Sequence, residues 1–151
     1  MTLHELLHTH SKQIVEEATG FLHRSHLPNY EKAGTTNSHH RIVALYALAA
    51  RAVQERNVGP MIAHAETIAR ERFEQGFDLS EVQTAFNVLE EVMWRYIIKE
   101  MSPSDQAEAL GLVGTVLGQG KDTLARTYVS LASKTKAPSL NLQSLFAGTA
   151  G

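Results

Sequence analysis

His4 and His8 stand one helical turn apart, the spacing at which two imidazoles on one helix face can hold a divalent cation. The set is incomplete. Zinc takes three or four protein ligands, the chain has no Cys, and Glu5 points about 100° around the helix from His4. An exposed pair near a fraying helix end accounts for the spacing, so no metal and no cofactor is expected, with His4 and His8 the only metal candidates. His10 differs because it falls on the apolar stripe of the same helix. A buried imidazole needs a hydrogen-bond partner and shifts its pKa when denied water, so it can sense pH or touch a ligand. A satisfied core or interface histidine is the plainer account. With Tyr46 and Trp94, His10 makes the candidate set for a small-ligand pocket.

The remaining reactive types fit known chemistries poorly. "HELLHT" has the His-Glu-Leu of a phosphoacceptor helix but lacks the Arg-Thr-Pro that follows it in histidine kinases. His64 in "IAHAETIA" lacks the Lys-Gly of phosphotransfer domains, and a lone helical His is little evidence for a haem ligand. His39 and His40 open a helix, where an imidazolium opposes the dipole, and they suit a solvated loop end. In "GTVLGQGKDT" a phosphate loop would need Gly at Thr115 and Ser or Thr at Asp122, and it would follow a strand. Glu16-Glu17 and Glu90-Glu91 are adjacent pairs that diverge around their helices. Without a nucleophile elbow, a paired-carboxylate set or a dinucleotide fingerprint, an enzyme is not expected.

The 151 residues suffice for one domain with a real core. Hydrophobic residues at 43% and charged residues at 20% are an ordinary globular balance. A net charge of −2 without a basic run argues against nucleic acid as partner. The absence of cysteine fits a reducing compartment, so a cytoplasmic location is expected. "MTLHELLHTHSK" is too polar for a signal peptide, and no apolar run reaches the roughly 18 residues of a membrane span.

The elements that must position these residues are helices. Leu3, Leu7, His10, Ile14, Ala18 and Phe21 define a first helix to about His23 or Arg24. "SHLPNYEKAGTTNS" has no period and is expected as loop. A second helix starts near Ser38 as its cap and carries Ile42, Leu45, Tyr46, Ala49 and Val53 inward; "NVGP" stops it at Gly59. Met61, Ala65, Ile68, Ala69 and Phe73 line a third helix that ends at Gly76. Asp78 caps a fourth, with Glu81 placed for a capping box and Phe77 and Val82 for a hydrophobic staple. Its stripe is Val82, Phe86, Leu89, Met93 and Ile97. Ser102, Pro103 and Asp105 start a fifth, lined by Leu110, Val113, Leu117, Leu124, Tyr128 and Leu131, to about Lys134. The expected fold is therefore all-α, an up-down bundle of about five helices over residues 1–136. Residues 137–151 form a tail whose Leu140, Leu142, Leu145 and Phe146 are expected to dock on the domain or on a second copy.

The short turn at Gly76 raises a helix-turn-helix, but "DLSEVQTAFNVLEEVMW" carries Asp78, Glu81, Glu90 and Glu91 and no cation before Arg95, which phosphates would repel. A capped helix corner is expected instead. In the fifth helix Gly111, Gly114 and Gly118 make a smooth strip that costs roughly 1 kcal/mol per glycine against Ala. Close approach of another helix, in the same chain or across a dimer, would offset that cost. The interface candidates are these three glycines with Leu142, Leu145 and Phe146.

The stretch "RERFEQGFDLSEVQTAFNVLEEVMWRYI" resembles the core segment of the RsbRD N-terminal domain family, the N-terminal regions of RsbT co-antagonist-type proteins. In that family an "R-x-R-x-E-Q-G-F" helix end meets "L-x-E-V" and a helix rich in Leu, Val and Trp. Arg70, Arg72, Glu74, Gln75, Gly76, Phe77, Leu79, Glu81 and Val82 stand at those places. "HELLHTHSKQIVEEATGFL" is similar to the family's opening helix. The resemblance spans Arg70–Ile98 most closely and Leu3–Leu22 less so. It implies an all-helical, often dimeric input module that normally precedes an output domain, which the 151 residues do not include. The expected function is a non-enzymatic sensory or protein-interaction module of a bacterial stress-response regulator, with a protein partner and a homodimer. The alternative is a helical sensor of a small ligand or metal.

Overall fold

The computed structural model describes residues 1–135, which form seven helices and no strand. They are α1 (Leu3–Thr9), α2 (Ser11–Arg24), α3 (Pro28–Ala33), α4 (Thr35–Glu55), α5 (Gly59–Glu74), α6 (Leu79–Glu100) and α7 (Pro103–Thr135). The all-α class is as expected. The number of helices is not, and two features explain the difference.

The expected first helix is divided at His10. The backbone ladder of α1 ends with His10 N–H donating to Leu6 O and resumes where Ile14 N–H donates to His10 O. Between them, the Leu7 carbonyl accepts the hydroxyl of Tyr46, from α4. A side chain inserted into the ladder is a recognised cause of helix breaks. Tyr46→Phe should therefore lower stability by about 1–2 kcal/mol, because it orphans a buried carbonyl without changing shape. Urea unfolding followed by circular dichroism measures it.

The expected loop of residues 25–38 holds α3. Pro28 starts it, and Tyr30 is buried beneath it. Gly34, at φ 87°, separates it from α4 in a conformation that L side chains rarely adopt. Ser38 is not a cap; it is buried inside α4. Arg56, not Gly59, takes the left-handed position that ends α4, and Gly59 opens α5.

The α5–α6 corner is built by local rules. Phe77 N–H donates to Arg72 O and Gly76 N–H to Phe73 O, the paired bonds of a Schellman ending, with Gly76 at φ 84°. Asp78 caps α6 through Ser80 N. The expected capping box is absent here and occurs instead at Thr2 and Glu5. Glu81 is buried and accepts from Asn29 Nδ2 at 2.9 Å, so its carboxylate is drawn away from the cap by α3.

Helix α7 packs against α5, α6 and α4, and α2 against α4 and α6. Gln106 Nε2 donates to Ile98 O and Met101 O, and Lys121 bridges to Asn87 and Glu90, so α6 and α7 are antiparallel. Leu6, Ile14, Leu22, Ile42, Met61, Phe86, Leu89, Ile97, Leu117 and Leu124 are fully buried at the centre. No helix among the described residues is long and apolar enough to cross a membrane.

Candidate functional site

The residues expected to line one pocket are not brought together. Tyr46 joins His4 and His8 in an open groove of about 570 Å³ between α1, α2 and α4, beside Val43 and His39. His10 lies elsewhere, at the α1–α2 break. Its ring is 5.1 Å from that of Tyr96, and its Nε2 is 4.0 Å from Glu100 Oε1. Trp94 is 42% exposed on the outer side of α6. Among the described residues, no group of three or more His, Asp or Glu side chains is placed to hold a metal.

A second cavity, of about 250 Å³, lies where α4, α5 and α6 meet. Helix periodicity explains which residues reach it. His64, Ile68 and Glu71 recur on one face of α5, as do Val82, Ala85 and Phe86 on α6. Arg41 from α4, Arg72 from α5 and Tyr30 from α3 complete the polar part. Arg72 is buried, and its Nη1 reaches Glu71 Oε2 at 3.4 Å. The two guanidiniums flank Phe77, with Arg41 Cζ 5.1 Å and Arg72 Cζ 5.7 Å from its ring centre. Phe77 in turn meets Tyr30 edge-on at 5.1 Å. Arg41 Nη1 is buried without a hydrogen-bond partner.

The electrostatics follow from this crowding. Burial, and then the like charge of Arg72, lower the pKa of Arg41. Burial pushes the Tyr30 hydroxyl up, with Arg72 and Arg41 pulling against it. Burial also lowers His64 below the ordinary imidazole value, and Arg72 adds to the effect while Glu71 opposes it. A base whose folded pKa is depressed binds its proton more readily in the unfolded chain. Its contribution to stability is thus present above about pH 6.5 and lost as pH falls through the folded pKa. His64→Gln should flatten the decline of stability between about pH 7 and pH 5, as denaturant titrations at each pH would show.

Sequence reasoning missed Arg41 and Tyr30 as site residues, weighed His64 only as a phosphotransfer or haem candidate, and saw Arg72 only as part of a motif. One signal was present. Arg72 continues the spacing of Ala65 and Ala69, so it sits on the buried stripe of α5, where a cation needs a reason.

The outer face of the α6–α7 pair is a separate surface. Lys121 Nζ donates to Asn87 Oδ1 at 3.1 Å and lies 3.3 Å from Glu90 Oε1, which fixes the register of the two helices. Successive turns of α6 from Asn87 bring Glu91, Trp94 and Ile98 to the same side. Stepping back along α7 from Lys121 brings Gly118, Gly114 and Gly111. A Cβ added at any of these glycines would meet nothing within 4 Å, so no helix of the described chain packs on the strip. Leu142, Leu145 and Phe146 lie outside the described residues.

The described residues form an all-helical domain. The family model of the RsbT co-antagonist protein rsbRD N-terminal domain matches residues 12–132. The chain belongs to that family, whose setting is stress-response signalling through partner proteins. No curated protein and no solved structure matches it.

Proposed function

We propose that this domain is a non-enzymatic sensory input module of a bacterial stress-response regulator, acting in the cytoplasm as a homodimer. The observation that carries the dimer is the α6–α7 outer face. Trp94 and Ile98 are 42% and 59% exposed beside the open glycine strip. Two large apolar side chains next to a smooth track suit a close helix–helix contact, which would offset the cost of Gly111, Gly114 and Gly118. The regulatory character of the family supports the non-enzymatic reading.

Light scattering on the full chain tests it. The wild type should be a dimer, and the Trp94→Asp, Ile98→Asp double variant a monomer with unchanged helical circular dichroism. A monomeric wild type would overturn the homodimer. A dimer that survives the double variant but is lost when the chain stops at Lys136 would move the interface to the tail.

A further inference from the structure

We propose that the cavity between α4, α5 and α6 binds a small organic monocarboxylate, with Arg41 and Arg72 gripping the carboxylate. Three observations carry this. First, Arg41 Nη1 is a buried donor without a partner in a chain whose other described side-chain donors and acceptors are satisfied when buried. A guanidinium so placed is costly unless something accepts from it. Second, two guanidiniums face one cavity and repel each other, while the single lining carboxylate, Glu71, pairs with Arg72 and acts on Arg41 only as the weakest of its charge contacts. The guanidiniums of Arg41 and Arg72 outnumber the lining carboxylate of Glu71 by one, an excess positive charge that one carboxylate balances. Glu81, buried nearby, is not among the lining groups and is held by Asn29. Third, the rest of the wall is apolar, from Leu45, Ile68, Val82, Ala85 and Phe86. That suits a short hydrocarbon or aromatic body more than a fully hydrated anion.

The forked guanidinium matches a carboxylate in two parallel hydrogen bonds. A volume of about 250 Å³ falls below the roughly 300–1,000 Å³ of drug-sized sites, so the ligand is of metabolite size. Because the cavity joins α4, α5 and α6, its occupant ties together three helices, including the one that carries Trp94 and Ile98. This deepens the sensory reading by naming the class of signal, and it rests on that reading only for its regulatory meaning.

The test is calorimetric titration and thermal melting of the full chain at constant ionic strength. The probes are acetate, butyrate and benzoate, with benzamide and inorganic phosphate as controls. Saturable binding of butyrate or benzoate, with a rise in Tm that benzamide does not produce, is expected. Arg41→Met should raise the ligand-free Tm by removing the repulsion and the orphaned donor, and should weaken binding about tenfold or more. Arg41→Lys, which keeps the charge without the fork, should bind with intermediate strength. No carboxylate binding in the wild type, equal binding by Arg41→Met, or preference for phosphate over every carboxylate would overturn the proposal. The oligomeric state of the same samples is read separately, so a failed ligand site leaves the dimer standing and a monomer leaves the ligand site standing.

Discussion

Replacing Gly120 with valine is expected to lower the unfolding free energy by about 3 kcal/mol, the upper range for overpacking a core. Gly120 is the glycine of α7 that the fold cannot spare. A Cβ there would lie 2.6 Å from Phe86 Cε2 and 3.1 Å from Met61 Sδ. Both neighbours are buried, and Phe86 is a rigid ring in the centre of α6, so neither has room to withdraw. A glycine lets α5 and α6 close on α7 at the same level. Gly120→Ala should cost less, because its overpacking is partly offset by about 1 kcal/mol of helix propensity. Gly114→Ala should instead raise the stability of a monomer by up to about 1 kcal/mol, since nothing stands within 4 Å of the added carbon. Chemical unfolding of the three variants decides this. Phe86→Leu in the Gly120→Ala background should restore part of the loss, a coupling expected only of residues in contact. Equal effects at Gly114 and Gly120 would show that α7 does not pack as described.

Phe77→Ala should be as damaging, at about 3–4 kcal/mol, the usual cost of truncating a buried Phe. Phe77 stands where four features meet. It follows the Schellman glycine at the end of α5, it packs edge-on against Tyr30 of α3, and its ring lies beside the guanidiniums of Arg41 and Arg72. Its carbonyl also accepts the Tyr128 hydroxyl at 3.0 Å, which fastens the corner to α7. Truncation removes the ring but keeps that carbonyl, so the loss reports the aromatic contacts. Phe77→Leu, which keeps most of the volume, should cost about 1 kcal/mol if packing dominates, and clearly more if the cation–ring contacts do. Thermal and urea unfolding of both variants separates the two terms.

The site was less legible than the fold for a reason visible in particular pairs. The sequence placed Arg72 within a family motif and Glu81 in a capping box. The structure buries both, because α3 comes down on the α5–α6 corner and Asn29, 52 residues away from Glu81, takes its carboxylate. The short α3 itself has no periodic stripe to announce it, and only Pro28 and the burial of Tyr30 define it.

The sequence by itself determined what depends on neighbours a few residues apart. The 3.6-residue period marked the inward faces of α4, α5, α6 and α7. Asp78, Pro103 and Gly76 marked their ends, and the "EQGF" corner with its flanks carried the family. Tertiary structure alone decided the rest. The Tyr46 hydroxyl broke the first helix from 39 residues away, and Lys121 set the register of α6 on α7 from a distance of 34 and 31 residues. Within the described chain, the same long-range packing made Gly120 the glycine of α7 where other helices close in, and turned Arg41 and Arg72 into one cavity. Helix formation is a local bargain between backbone and side-chain spacing. Which polar group is taken from water, and what it meets there, depends on how whole helices close on one another.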